Sequence, residues 1–142
     1  LEGCAAAADR IYFTSTSGGD AGAGQVWEYE PGAERLHLLY QSPDRETLEY
    51  PDNVAVAPGG GLLLCQDRLG RPQRLYGLDP AHGLFPFAEN AIVLAGERNR
   101  LRGDYRSSEW AGAAFHGDWL FVNVQSPGVT FAITGPWRRG HA

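Results

Sequence analysis

Three short strings each open on a carboxylate and run into small or apolar residues: Glu2-Gly3-Cys4-Ala5, Asp52-Asn53-Val54-Ala55 and Glu109-Trp110-Ala111-Gly112. In each case a small-residue segment and a turn follow, then an apolar run beginning at Ile11, Leu62 or Leu120, then polar residues at 14 to 17, 66 to 68 or 123 to 126. The interval of about 50 residues is that of a kelch-type structural repeat. Carboxylates are hard oxygen donors, and calcium takes six to eight oxygens. Acids brought from successive repeats to one axis could therefore hold such an ion. Acids at strand starts can equally serve as acceptors for turn hydrogen bonds, and the repeat alone does not choose between the two roles.

The elements that must carry these acids are strands. Runs rich in β-branched and aromatic residues recur at Ile11 to Thr16, Gln25 to Tyr29, Leu36 to Tyr40, Asn53 to Ala57, Leu62 to Cys65, Arg74 to Leu78, Trp119 to Val124 and Val129 to Ile133. Turn signals separate them at Pro31-Gly32, Ala57-Pro58-Gly59-Gly60-Gly61, Asp79-Pro80 and Phe115-His116-Gly117-Asp118. No amphipathic helix is evident. The polar stretch from Gly96 to Ser108 has no periodicity and is expected to be a long loop, either functional or a disordered insertion. The predicted fold class is all-β, built of antiparallel blades of a β-propeller. About three blades fit, whereas propellers close with about 4 to 8. The chain opens on Leu1 and contains no Met. Residues 1–142 are therefore expected to be the carboxyl-terminal part of a propeller domain whose amino-terminal blades are missing.

A formal charge of -5 with scattered Arg argues against a specific nucleic-acid partner. The one basic cluster, Arg98, Arg100, Arg102 and Arg106, reads as a solvated loop with phosphate binding as its alternative. No apolar stretch reaches the roughly 20 residues of a membrane helix, and no signal-peptide pattern is present. Cys4 and Cys65 are expected to be free, buried thiols, with pairing or metal binding left open. His37, His82, His116 and His141 show no ligand spacing and are read as surface or satisfied core. Trp27, Trp110, Trp119 and Trp137 are read as packing between sheets.

Several strings together resemble the PhoX-type alkaline phosphatases: Leu1-Glu2-Gly3-Cys4, Ile11 to Asp20, Gly24 to Tyr29, Tyr50-Pro51-Asp52-Asn53-Val54, Leu63-Leu64-Cys65-Gln66-Asp67, Ser108 to Ala113 and Phe121 to Gly128. The resemblance covers nearly the whole chain. It implies a secreted or periplasmic bacterial phosphatase exported by the twin-arginine route, with calcium and iron near a propeller axis and small phosphate esters as substrates. A monomer is the expected state, without a membrane or nucleic-acid partner. By position, Glu2 and Glu109 are similar to the family's carboxylate ligands. Asp52 is a third candidate and Asp67 a fourth, the last also readable as a turn former. Two departures stand out. The arginine expected two residues before Glu2 to bind phosphate would precede Leu1. Gln66 also stands where the family often has Glu, so a ligand role there becomes neutral.

The implied chemistry is hydrolysis of phosphate monoesters at a metal cluster with Glu2, Asp52, Asp67 and Glu109 as ligands. No Ser or Thr is set beside a base to nominate a covalent nucleophile, so no catalytic residue is assigned. This chain by itself is expected to be inactive. The alternatives are a lactonase-like propeller using one calcium and a non-catalytic propeller in which calcium is structural.

Overall fold

The computed structural model describes residues 1–96 and 99–137. Strands β1 (Cys4–Ala7), β2 (Arg10–Ser15), β3 (Gln25–Glu30) and β4 (Arg35–Gln41) form a first antiparallel sheet in sequential order. A second sheet is built the same way from β5 (Pro51–Val56), β6 (Leu62–Gln66), β7 (Arg74–Leu78) and β8 (Leu84–Glu89). The hairpin β9 (Val93–Ala95) with β10 (Arg102–Asp104) precedes a third sheet of β11 (Trp110–His116), β12 (Trp119–Val124) and β13 (Val129–Thr134). The only helical element among the described residues is a 3-10 turn at Pro31–Ala33. The all-β class read from the sequence is the one observed, and no sheet closes on itself.

The sheets stack through their faces, because successive residues of a strand point to opposite sides. All five residues of β6 are buried. Leu62 and Leu64 join Val54, Tyr76, Leu78 and the first-sheet residue Val26 in one core, while Leu63 and Cys65 join Leu75, Trp110, Leu120, Val122 and Val124 in another. A continuous apolar strand is thus what a sheet covered on both faces requires. β12 instead alternates, with Leu120, Val122 and Val124 buried and Trp119 and Phe121 exposed on the far face. Phe85 lies across from Gly77, where a Cβ would meet the ring at 2.1 Å, so the aromatic ring fills the space the glycine leaves.

Several expectations need correction. The stretch from 96 to 108 is not one loop, since Arg102–Asp104 pairs with β9. Of the basic cluster, Arg106 is tied to Asp104 at 2.6 Å, Arg100 and Arg102 are exposed, and Arg98 lies outside the described residues, as does His141. Cys4 is exposed rather than buried, because β1 is an edge strand whose residues alternate and Cys4 takes the outward side. Cys65 is free and buried as expected. Trp110 packs in the core and Trp137 against Phe87 and Phe115. Trp119 does not pack between sheets. It is 45% exposed and stacks on Phe121.

Candidate functional site

The first strands of the three sheets lie side by side, β5 packing on both β1 and β11. Each of Glu2, Asp52 and Glu109 lies at or just before the start of one of them, so three acids distant in sequence reach the same end of the stack.

Glu2 is held by the main chain. Its N–H donates to the Thr14 carbonyl at 3.2 Å, and Thr14 N donates to the Gly3 carbonyl at 3.0 Å. Gly3 N in turn donates to Thr14 Oγ1 at 3.0 Å. Gly3 is buried, and a Cβ there would sit 2.7 Å from the Asp52 carbonyl oxygen and the Asn53 Cα. Only glycine lets the first sheet approach the second this closely beside the acids.

Asp52 occupies a β-bulge. Pro51 pairs with Gln66 and Asn53 with Cys65, leaving Asp52 as the extra residue of β5. A bulge re-aims a side chain that regular pleating would place elsewhere. Its flank is fixed by Tyr50 N donating to Ala23 O at 2.8 Å and Asp67 N donating to Tyr50 O at 3.0 Å. The preceding loop is tied down by buried Arg68, which reaches Glu46 at 2.7 Å and Glu49 at 3.5 Å.

Glu109 follows a segment pinned by two buried amides. Asn90 Nδ2 donates to the carbonyls of Tyr105 and Ser108 at 2.8 and 3.0 Å. Gln73 accepts from Arg68 N at 2.7 Å through Oε1, donates its main-chain N–H to Arg106 O at 2.9 Å, and its carbonyl accepts from the Trp110 indole at 3.1 Å. Gln125 N then closes onto the Glu109 carbonyl at 2.9 Å.

Electrostatically, Asp52 and Asp67 each feel both Glu2 and Glu109. Burial, then a hydrogen bond with Glu109, then the charges of Glu109, Asp67 and Glu2 push the Asp52 carboxyl up to about 8. Asp67 is raised by burial and by Glu109, Glu2 and Glu49. Burial also pushes the Cys65 thiol up, with Asp52 and Glu109 adding to it. Asp52 Oδ1 is buried without a partner, and Gln66, fully buried, leaves both its amide atoms unpartnered. Orphaned buried polar atoms are costly and call for a proton, water or ion to complete them.

The structure therefore brings Glu2, Asp52, Asp67 and Glu109 into one neighbourhood, with Glu2 exposed and the other three half-buried. Among the described residues, however, no three His, Cys, Asp or Glu side chains are gathered as a ready ligand set. The donor chemistry suits a hard cation, since it offers carboxylate oxygens and one buried oxygen still lacking a partner. The remaining coordination has to come from elsewhere. His37, His82 and His116 are exposed and belong to other parts of the fold.

The internal repeat needs a shift of register. The third sheet has its own bulge at Ala111, between Trp110 and Gly112, so Asp52 matches Ala111 and Glu109 matches Tyr50. The acids approach one another from different depths in their strands. Thr16 and Gln125, which the sequence reading passed over, contact two of them: Thr16 Oγ1 donates to Glu2 Oε2 at 3.0 Å and Gln125 Nε2 to Glu109 Oε2 at 3.2 Å. Their signal was present as polar residues at the end of the second strand of each repeat.

The family model described as alkaline phosphatase PhoX matches residues 1–128. A comparison with curated proteins finds no match. The family match spans all three acid-led sheet starts and most of the 142 residues, and the chain belongs to the PhoX alkaline phosphatase family.

Proposed function

We propose that this chain forms part of a β-propeller phosphatase domain in which Glu2, Asp52, Asp67 and Glu109 contribute carboxylate oxygens to a cation centre, and that the longer protein hydrolyses phosphate monoesters there. The observation that carries the reading is Asp52. It is bulged out of its ladder, partly buried, with Oδ1 unpartnered, and set among three other acids. Such a cluster is unfavourable unless a proton or a cation offsets it.

Calcium fits an all-oxygen donor set, whereas iron enters through the family alone. When bound, a hard cation supplies charge neutralisation at a phosphoryl group. The chain's own part is to hold and orient. The bulge at Asp52 and the Gly3 contact fix the seam between the first two sheets, and the Gln73 and Asn90 amides fix the approach to Glu109. The propeller arrangement is supported by the stacking of a sheet covered on both faces, with all first strands on one line. Secretion or periplasmic export is the family's corresponding expectation. No helix among the described residues is long and apolar enough to cross a membrane.

The test is hydrolysis of an aryl phosphate by the full-length protein, with and without a calcium chelator, for wild type and Glu109→Gln. Calcium-dependent turnover lost in Glu109→Gln supports the proposal. Absence of turnover in every metal condition rejects it in favour of a lactonase-like or purely binding propeller.

A further inference from the structure

The second strands of the first, second and third sheets end at Ser15, Gln66 and Val124, so the first residue beyond each is Thr16, Asp67 and Gln125. In the first and third sheets that residue is a neutral donor, and its side chain reaches the acid that leads the same sheet. Thr16 Oγ1 meets Glu2 Oε2 at 3.0 Å, and Gln125 Nε2 meets Glu109 Oε2 at 3.2 Å. The main chain repeats the connection in the third sheet, through Gln125 N to Glu109 O at 2.9 Å, whereas in the first sheet Glu2 N donates to the carbonyl of Thr14, two residues before Thr16, at 3.2 Å. A neutral donor just past the second strand thus meets the leading acid in two sheets, from different residue types and in different register.

We infer that Thr16 and Gln125 are positioning residues for the acid cluster, each pinning one oxygen of its glutamate so that the carboxylate presents itself to a cation in one orientation. This rests on the cation-holding reading of the four acids. The physical case is conformational: a side chain fixed at one oxygen has less rotamer freedom to lose when it coordinates. In the second sheet the corresponding residue is Asp67, an acid that when ionised cannot donate to Asp52. Asp52 and Asp67 are the adjustable half of the site, and Glu2 and Glu109 the fixed half.

The experiment uses terbium as a calcium substitute in the full-length protein, with luminescence excited through tryptophan, because Trp110 directly follows Glu109. Thr16→Val and Gln125→Leu are each expected to weaken terbium binding about 10-fold, the lower end of the range for outer-shell partners of metal ligands. The melting temperature in chelator should be unchanged, and Thr16→Ser, which keeps the hydroxyl, should bind as wild type does. Wild-type affinity in both Thr16→Val and Gln125→Leu overturns this inference and leaves the cation site standing. Loss of affinity in Thr16→Ser equal to that in Thr16→Val also overturns it, since packing rather than the hydroxyl would then be responsible. Failure of the wild type itself to bind terbium overturns the inference together with the reading beneath it.

Discussion

The Asp52 carboxyl lies within electrostatic reach of Glu109 across the seam between the second and third sheets, and its burial first, then Glu109, raise it to about 8. Burial and the charges of the neighbouring acids disfavour the ionised form of Asp52, so its carboxyl keeps its proton to higher pH than an exposed aspartate does. Asp52 is therefore a proton site in the absence of a cation.

This relationship fixes a pH dependence. Asp52 titrates at about 8 in the fold, against about 4 in an unfolded chain. Between those values the folded state binds a proton that the unfolded state has released, so stability falls as pH rises through this window. In chelator, Asp52→Asn, which mimics the protonated form, should melt higher than wild type at pH 8 and near wild type at pH 4. Calcium should raise the melting temperature of wild type at pH 8 and leave Asp52→Asn nearly unmoved. Parallel melting curves for the two proteins across pH would count against a proton held on Asp52 in the fold.

Gly3→Ala inserts a methyl group 2.7 Å from backbone atoms of Asp52 and Asn53. Backbone cannot swing aside as a side chain can, so the first sheet must move away from the bulge. A loss of about 1–3 kcal/mol is expected, with weaker cation binding, measured by denaturant unfolding and calcium titration. Wild-type stability would show that the approach is looser than described.

Leu64 is fully buried in the core shared by the first two sheets, whereas Phe121 lies on the open face of the third. Leu64→Ala should cost about 2–5 kcal/mol. Phe121→Ala, in the same unfolding assay on the isolated chain, should cost far less. Equal losses would mean that the far face of the third sheet is covered in solution.

Gln73 links the 68–71 turn, the 105–108 segment and Trp110. Gln73→Leu keeps the volume and leaves the Arg68 N–H unpartnered, while the Arg68 carbonyl keeps only its long bond from Arg71 N, at a cost of about 1–3 kcal/mol for the buried N–H. Hydrogen exchange should rise at Arg68 and through 105–109, and unchanged protection there would contradict this role.

Cys4 is exposed and Cys65 is buried with its thiol pushed up by desolvation. A thiol reagent should modify one cysteine in the native state and two after denaturation, with mass spectrometry of peptides placing the first at Cys4. Native labelling of Cys65 would show that the second core opens readily.

Much of the fold was legible because the buried strands advertise themselves. Leu62 to Cys65 and Trp119 to Val124 have the apolar content and period that a face-packed strand demands. Several of the strands that escaped reading, β11 aside, lie where local preference and pairing disagree. β1 is rich in alanine, a poor strand former, and is held at the sheet edge by pairing with β2. β8 contains Pro86, tolerated because β8 is also an edge strand and bulged at that point. The hairpin of β9 and β10 spans polar residues with no periodicity and exists because Arg102–Asp104 finds partners in Val93–Ala95.

By itself the sequence determined the all-β class, the family and the candidates Glu2, Asp52, Asp67 and Glu109, since those depend on residue type and order along the chain. Only the tertiary structure decided that Asp52 is the bulged residue of its strand, set within electrostatic reach of Glu109, that Thr16 and Gln125 anchor two of the acids, and that Cys4 faces outward. The physical reason is register. Shifting a strand by one residue exchanges its faces, and a single bulge shifts everything before it. Neither is written in local composition, because both are settled by which neighbouring strand supplies the hydrogen bonds.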